Sequence, residues 1–399
     1  MRIAAHTLGC KLNFTETSAL LRQYAEAGHE IVGFDDEADL YIINTCTVTA
    51  MAEKKCRTAI RQAIRRNPHA QVTVMGCYAQ RDAESIAKIP GVGTVMGNER
   101  KGLLTYSGTD RTRTFFKIQD GCDYFCTYCA IPFARGRSRS ATIAETVATA
   151  RQIAATGTKE IILTGVNTGT FGQQHGEAFL DLLQQLDGIE EIARYRISSI
   201  EPNLLTDDII RFVASSRAFL PHFHIPLQAG SDKVLSLMRR RYDTALYAAR
   251  IESIHSLMPH ACIAADVITG FNGEDDDTFE QSKAYIQSLP ISYLHVFPYS
   301  DRPGTAALRM GGKIPVATRR ARSMALGQLS QTLRQRFVDS HLGTTRDVLW
   351  EHTPHQGVMH GWTDNYIRLQ RPFDESVAGT VTPYAITKST IVQNFSPTE

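Results

Sequence analysis

The sequence predicts an α/β protein in three parts: an amino-terminal doubly wound parallel sheet, a central partial (β/α)6 barrel and a small carboxyl-terminal β-barrel. Three observations predict it. Strand-sized apolar runs alternate with helix-period runs over the first hundred residues, and the alternation resumes with six further strands after Arg113. From about Asp339, short strands follow one another with only turns between them. At 399 residues the chain is also too long for one compact core.

In the first part, MRIAAHTL reads as a strand ending at Gly9-Cys10, with a helix from about Thr15 to Ala27. Leu40–Asn44 is a second strand, ending at Thr45-Cys46, followed by a helix over about Met51–Arg66. Gln71–Met75 is a third, ending at Gly76-Cys77, with a helical pattern from Gln80. Parallel strands joined by helices put all their carboxyl ends on one edge of the sheet, where ligands are usually held. Cys10, Cys46 and Cys77 therefore meet on that edge. Cys56 falls on the apolar stripe Ala52, Cys56, Ile60, Ile64 of its helix and reads as a buried small hydrophobe, as does Cys262 at the start of CIAADVI.

Lys101–Arg113 is polar, carries two glycines and reads as a linker. Barrel strands are expected at Thr114–Gln119, Glu160–Thr164, Arg194–Ser199, Pro221–Ile225, Ile263–Ile268 and Ile291–Phe297, with a long helix over about Val316–Val338. DVLWEHT, HGWTDNYIRLQ and SVAGTVTPYAI supply the last strands. The expected boundaries are 1–105, 106–337 and 338–399.

Composition sets limits. With 43% hydrophobic and 21% charged residues, the chain is not disordered, and a formal net charge of +2 requires any nucleic-acid-binding surface to be local. The start carries no signal-peptide pattern and no apolar stretch approaches the ~20 residues of a membrane span, so a cytoplasmic protein is expected. There is no internal repeat, no Walker P-loop and no G-x-G-x-x-G. Eight cysteines without a secretion signal favour metal or redox chemistry over disulfides.

Three of them form GCDYFCTYC: Cys122, Cys126 and Cys129, spaced C-x3-C-x2-C directly after the first barrel strand, with Tyr128 before the last. Three thiolates on one short loop can hold three corners of a 4Fe–4S cluster and leave the fourth iron open to a small molecule. A structural zinc site is the bland alternative. It usually wants four protein ligands, and no fourth Cys or His lies close by.

This motif resembles that of radical S-adenosylmethionine (SAM) enzymes. LGCKLN, NTCTVTAMAEKKCR, KIQDGCDYFCTYCAIPFARGRSRS, LTGVNTGTFG, ISSIEP, HIPLQAGSDKVLSLMRRRY, ADVITGF and HVFPYSDRPGT narrow the resemblance to the methylthiotransferases. Within them it is closest to the MtaB-type branch, which acts on N6-threonylcarbamoyladenosine in tRNA. The resemblance runs from residue 3 to about 310 and continues more weakly through a TRAM-like module. One segment departs from it: the family's G-F-P-G-E stands here as Gly270-Phe271-Asn272-Gly273-Glu274.

The resemblance implies two 4Fe–4S clusters and SAM as cofactors. Cys122, Cys126 and Cys129 would ligate the SAM-binding cluster, and Cys10, Cys46 and Cys77 an auxiliary one. Tyr128, Thr164, Gly165, Val166, Asn167, Glu201, Gln228 and Arg240 fall on motif positions expected to surround SAM. The implied reaction replaces the C2 hydrogen of the modified adenosine with a methylthio group. The implied partners are the tRNA anticodon stem-loop and a one-electron reductant such as a flavodoxin, and nothing demands more than a monomer. Isopentenyladenosine in tRNA and a ribosomal-protein aspartate are the competing substrates. A non-enzymatic RNA-binding protein with structural zinc or redox-sensing clusters is the competing class.

His222 and His224 share one strand face by period two and read as core or hydrogen-bonding residues. For RNA, the candidates are the acid-free basic run Arg309–Val338 and the helix bearing Lys54, Lys55, Arg57, Arg61, Arg65 and Arg66. The last part holds four basic and six acidic residues from Ser340 onward, so any grip on RNA there falls to Trp350, Trp362 or Tyr366. Arg135, Arg137 and Arg139 are nearby candidates for the threonyl carboxylate.

Overall fold

A computed structural model describes residues 1–98, 102–108 and 112–392. Its first sheet contains β1 (Arg2–Thr7), β2 (Glu30–Val32), β3 (Leu40–Thr45), β4 (Gln71–Gly76) and β5 (Thr94–Met96), all parallel in the order β2-β1-β3-β4-β5. Period-two alternation sends successive apolar side chains to opposite faces. Ala4, Tyr41, Ile43, Val72 and Val74 pack with Cys56, Ala59 and Ile60 of the helix Ala50–Arg66 on one face. Ile3, Leu40, Ile42 and Met75 meet Leu20, Leu21 and Tyr24 of the helix Lys11–Glu26 on the other. That first helix starts earlier than expected, with Cys10 as its cap residue. The pattern from Gln80 resolves into two short helices, Cys77–Arg81 and Ala83–Ala87, broken at Asp82.

Part of the expected linker is a strand. Residues 101 and 109–111 lie outside the described residues, but Thr105–Tyr106 forms β6, paired antiparallel with β7 (Arg113–Lys117). Arg22 donates to the Tyr106 carbonyl and stacks on its ring, and the Thr15 and Thr105 hydroxyls hydrogen-bond, so the segment is packed against the first helix.

The short pair β8 (Gln119–Asp120) and β9 (Arg139–Ser140) follows. The remaining central strands are β10 (Glu160–Thr164), β11 (Arg194–Ile197), β12 (His222–His224), β13 (Cys262–Thr269) and β14 (Tyr293–Pro298). β7, β10 and β11 pair in parallel, as do β12, β13 and β14, and the Tyr195–Phe219 and Ser199–His224 bridges join the two groups. Six parallel strands thus run in the order β7-β10-β11-β12-β13-β14, and no pairing between β7 and β14 closes the ring among the described residues. Their outer faces carry the main core, including Phe116, Ile161, Leu163, Tyr195 and Phe223, beneath the helices. The inner faces are polar: Glu160 accepts from Arg196, with Arg194 and Arg113 within 4.0 Å.

The last four strands, β15 (Thr345–Trp350), β16 (Val358–Thr363), β17 (Arg368–Pro372) and β18 (Val381–Ala385), form an antiparallel sheet in the order β17-β16-β15-β18. Its aromatic residues overturn the RNA-stacking expectation. Trp350 is 0% exposed inside the sheet's own core, and Trp362 and Tyr366, at 2% and 8%, pack on Cys262, Ala264 and Tyr293 at the amino end of the central strands. Arg194 and Arg196 reach from the barrel interior to the carbonyls of Trp362, Asp347, Thr363 and Asp364. Buried guanidinium groups satisfied by a neighbouring module's backbone fix that module in place. It plugs the barrel floor. No described helix is long and apolar enough to cross a membrane.

Candidate active site

The tight cysteine cluster lies between β8 and the helix Ile131–Arg135, above the carboxyl ends of the central strands. The loop is pinned at several points. Cys122 N donates to the Gly136 carbonyl (3.1 Å), and Thr127 bonds through its amide and hydroxyl to the Met238 and Leu237 carbonyls (3.1 and 2.9 Å). Phe125 takes a left-handed φ of 50°, which turns the chain between the first two cysteines.

A cavity of about 330 Å³ opens beside the loop. Cys122, Cys126 and Cys129 line it, with Tyr128, Val166, Asn167, Glu201, Gln228 and Arg240 around them. Arg240 organises this wall. It donates to Cys126 Sγ (3.1 Å), Tyr128 Oη (3.2 Å), Tyr242 Oη (3.1 Å) and the Glu201 carboxylate. Burial raises the Glu201 pKa while Arg240 opposes the shift. Gln228 sits at φ 65°, its amide donating to the Asp266 carbonyl. Thr164 and Gly165, expected around SAM, precede Val166 but do not line the cavity; the Gln119 side chain backs Gly165 and accepts from Asn167 N (2.9 Å). The three thiols are reluctant to ionise. Burial pushes Cys122 up to about 11 and Cys129 up to about 12, and Cys126 also rises. Thiols with no adjacent base in a desolvated pocket suit ligation to a cationic group, which offsets that penalty, better than free nucleophilic chemistry. Asn167 Nδ2 is buried in the same wall, an amide donor that can reach a ligand there.

The second triad forms on the edge of the first sheet. Cys10 caps the first helix, Cys46 follows β3 and Cys77 follows β4. Asn13 Nδ2 donates to the Leu8 and Thr45 carbonyls (2.8 and 3.0 Å), tying the first two loops together. A Cβ at Gly9 would stand 3.2 Å from Cys46 Sγ, so the Cys10 and Cys46 backbones run close. Asn98 bridges Cys77 Sγ (3.6 Å) to the Ala134 carbonyl (2.7 Å). Burial drives Cys46 up to about 12, with Cys10 and Cys77 adding to the shift. Cys56 and Cys262 are fully buried. Cys56 does more than fill space: it accepts from Cys46 N at 3.4 Å and faces the Cys46 carbonyl at 3.6 Å, bracing that loop.

The two triads adjoin. Val48 and Thr49, just beyond Cys46, form part of the cavity wall, Ala50 N donates to Ser300 Oγ, and Glu53 pairs with Arg302. Beneath them a buried network joins the sheet to the barrel: Glu16 binds Lys117 and Arg135, and Asp120 binds Arg135, Lys117 and Arg139. Arg135 and Arg139 are therefore committed to protein carboxylates, while exposed Arg137 pairs with Asp123 and lies over Phe125. The basic run is likewise partly consumed. Arg319 donates to the Ile314 and Tyr299 carbonyls and Arg322 to Glu274, both buried. Glu274 also accepts from Gly270 N and Asn272 donates to the Ala307 carbonyl, which holds the departing Gly270–Glu274 loop closed. His224 hydrogen-bonds Asp266 (2.7 Å) and His222 stacks on Tyr366 at 4.3 Å, the core and hydrogen-bonding roles expected. Asp266 and His295 were not singled out from the sequence.

Residues 2–97 match the model described as "Uncharacterized protein family UPF0004", and residues 116–286 match "Radical SAM superfamily". The threonylcarbamoyladenosine tRNA methylthiotransferase MtaB of Bacillus subtilis is 37% identical over 97% of this chain and 94% of its own length. The protein of the same name in Aquifex aeolicus is 36% identical over 93% and 97%. A tRNA-2-methylthio-N(6)-dimethylallyladenosine synthase from Endomicrobium trichonymphae is 30% identical over 92% of each chain. Among solved structures, the radical SAM methyltransferase TsrM of Kitasatospora setae superimposes with a TM-score of 0.55 at 12% identity, covering 97% of this chain and 88% of that one, a likeness of fold alone. Family models over both cysteine-bearing regions and full-length relatives above 30% identity point the same way: this chain belongs to the MtaB-type methylthiotransferase family.

Proposed function

We propose that this chain is a radical SAM tRNA methylthiotransferase. It replaces the C2 hydrogen of N6-threonylcarbamoyladenosine at position 37, in the anticodon loop, with a methylthio group. The reading rests on one observation above the rest: one cysteine triad lines the cavity, and Cys46 of the other lies two residues from its wall at Val48. The named relatives act on a threonylcarbamoyl adenosine in tRNA.

Cys122, Cys126 and Cys129 would hold one 4Fe–4S cluster, and Cys10, Cys46 and Cys77 a second. When bound, SAM and the clusters supply the radical that an unreactive aromatic C–H bond requires, together with the methyl group and sulfur. The protein's part is positioning. Arg240 fixes Glu201, Tyr128 and Cys126 in one constellation, so the ligand meets a preset charge pattern. Asn167, Val166 and Gln228 would contact SAM, with Thr164 and Gly165 directly before them at the end of β10. Residues 1–105 would form the auxiliary-cluster domain, 106–337 the radical SAM core and 338–399 a TRAM-like module. The partners are the tRNA anticodon stem-loop and a one-electron reductant such as a flavodoxin, and the chain works as a cytoplasmic monomer.

The test is mass spectrometry of nucleosides from threonylcarbamoylated tRNA after anaerobic incubation with reconstituted protein, SAM and dithionite. A nucleoside heavier by one hydrogen-to-methylthio exchange is expected. Cys126→Ala should abolish 5′-deoxyadenosine formation and lower iron from about eight to about four per chain. Retained SAM cleavage in that variant overturns the ligand assignment. Product from dimethylallyladenosine tRNA alone overturns the substrate.

A further inference from the structure

A threonylcarbamoyl substituent ends in a free carboxylate, whereas a dimethylallyl group is neutral. Taking the first requires a cation that the protein has not already neutralised. The cation that lines the cavity is committed, and so are the buried cations of the barrel and of its junction with the first sheet. Arg240 is held by Glu201, Arg135 by Glu16 and Asp120, Arg139 by Asp120, Arg302 by Glu53 and Arg196 by Glu160.

Lys11 differs from all of these. It directly follows Cys10, at the first position of the helix Lys11–Glu26. Its side chain is exposed, and among the described residues no carboxylate lies within ion-pair distance of it. Its one close partner is an aromatic face: the ammonium stands 5.6 Å from the centre of the Phe115 ring. Phe115 alternates along β7 with Phe116, which belongs to the helix-covered core, so Phe115 faces the barrel interior. The positive charge is felt across that interior, where it helps depress His222 on β12 and His295 on β14. Lys11 thus stands over the interior face of β7, next to Cys10 of the second triad. The Cys10 side chain makes no cap hydrogen bond, so the amides of this helix start add positive potential at the same spot.

We propose that Lys11 binds the terminal carboxylate of the threonylcarbamoyl group and thereby selects this substrate over adenosines with neutral N6 substituents. The proposal rests on the function given above and names the residue that reads the substituent.

Its test compares two tRNA anticodon stem-loops, one carrying the threonylcarbamoyl acid and one its neutral carboxamide, with wild-type protein, Lys11→Met and Lys11→Arg. Wild-type protein should prefer the acid in KM by roughly tenfold or more, the size of one charge-assisted contact. Lys11→Met should raise the KM for the acid by a similar factor and erase the preference, and Lys11→Arg should restore part of it. Iron content at the wild-type level shows that the neighbouring Cys10 site is intact. A preference retained in Lys11→Met overturns the proposal, as does an equal loss on acid and amide or a fall in iron. Failure of wild-type protein to convert the acid stem-loop at all instead overturns the function on which the proposal depends.

Discussion

Burial decides the charge of His222 and His295 inside the barrel. His295 is pushed down to about 4, first by desolvation and then by His224, against a pull from Asp266, and His222 is held well below 6.5 beneath Tyr366. A histidine whose folded pKa lies below its unfolded one binds more protons when unfolded. Stability from this source is therefore full above about 6.5 and falls as pH drops toward 4, by at most about 1.4 kcal/mol per pH unit for His295. Thermal melts from pH 7.5 to 4.5 should show a falling Tm, with a shallower slope in His295→Gln; an unchanged slope places the titration elsewhere. Period two was enough to pair His222 with His224 in the sequence. Asp266 and His295 escaped it because they join that group through the cross-strand register Asp266↔His295, which a single sequence does not carry. In sequence Arg135 reads as a candidate for a substrate carboxylate for a related reason, since Glu16, the partner that takes it, lies 119 residues away.

The turn at Gly76 carries the Cys77 edge. Its φ of 103° lies outside the range comfortable for other residues, and a Cβ there would collide with Asn44 Oδ1 and stand 2.5 Å from the Thr45 carbonyl. Gly76→Ala should cost about 2 kcal/mol or more in urea unfolding and lower iron from about eight to about four per chain, with SAM cleavage retained. Full iron with wild-type stability would mean that the turn tolerates a side chain. The strands of five to eight residues were legible because their apolar runs exceed the noise of composition, whereas β2, β5 and β6, two or three residues each at sheet edges, offer too few side chains to set a period. The helix expected from Gln80 broke at Asp82, whose φ of −143° departs from the helical range.

The carboxyl-terminal sheet was legible as strands but not as a plug. Its aromatic residues look alike in sequence whether they face RNA or a neighbouring module, and only the packing of Trp362 on Tyr366 at 4.5 Å, above β13 and β14, decides it. Trp362→Ala should therefore act on stability, costing about 3 kcal/mol, and leave the affinity of the remaining folded protein for tRNA within twofold. A loss of affinity at unchanged Tm would return the tryptophan to the RNA. At the opposite end, Glu16, Lys117, Asp120 and Arg135 join the first sheet to the barrel through charges that are almost wholly out of water. Separating such partners leaves bare ions in a nonpolar interior, at a cost of about 3–5 kcal/mol, so the gap between the two triads is set at folding and does not hinge. The burden of deformation then passes to the nucleic acid. Under the proposed function a nucleotide reaches the gap by leaving its stack, so a loop's own looseness becomes a selection rule, and a base held in a helical stem is refused without being read.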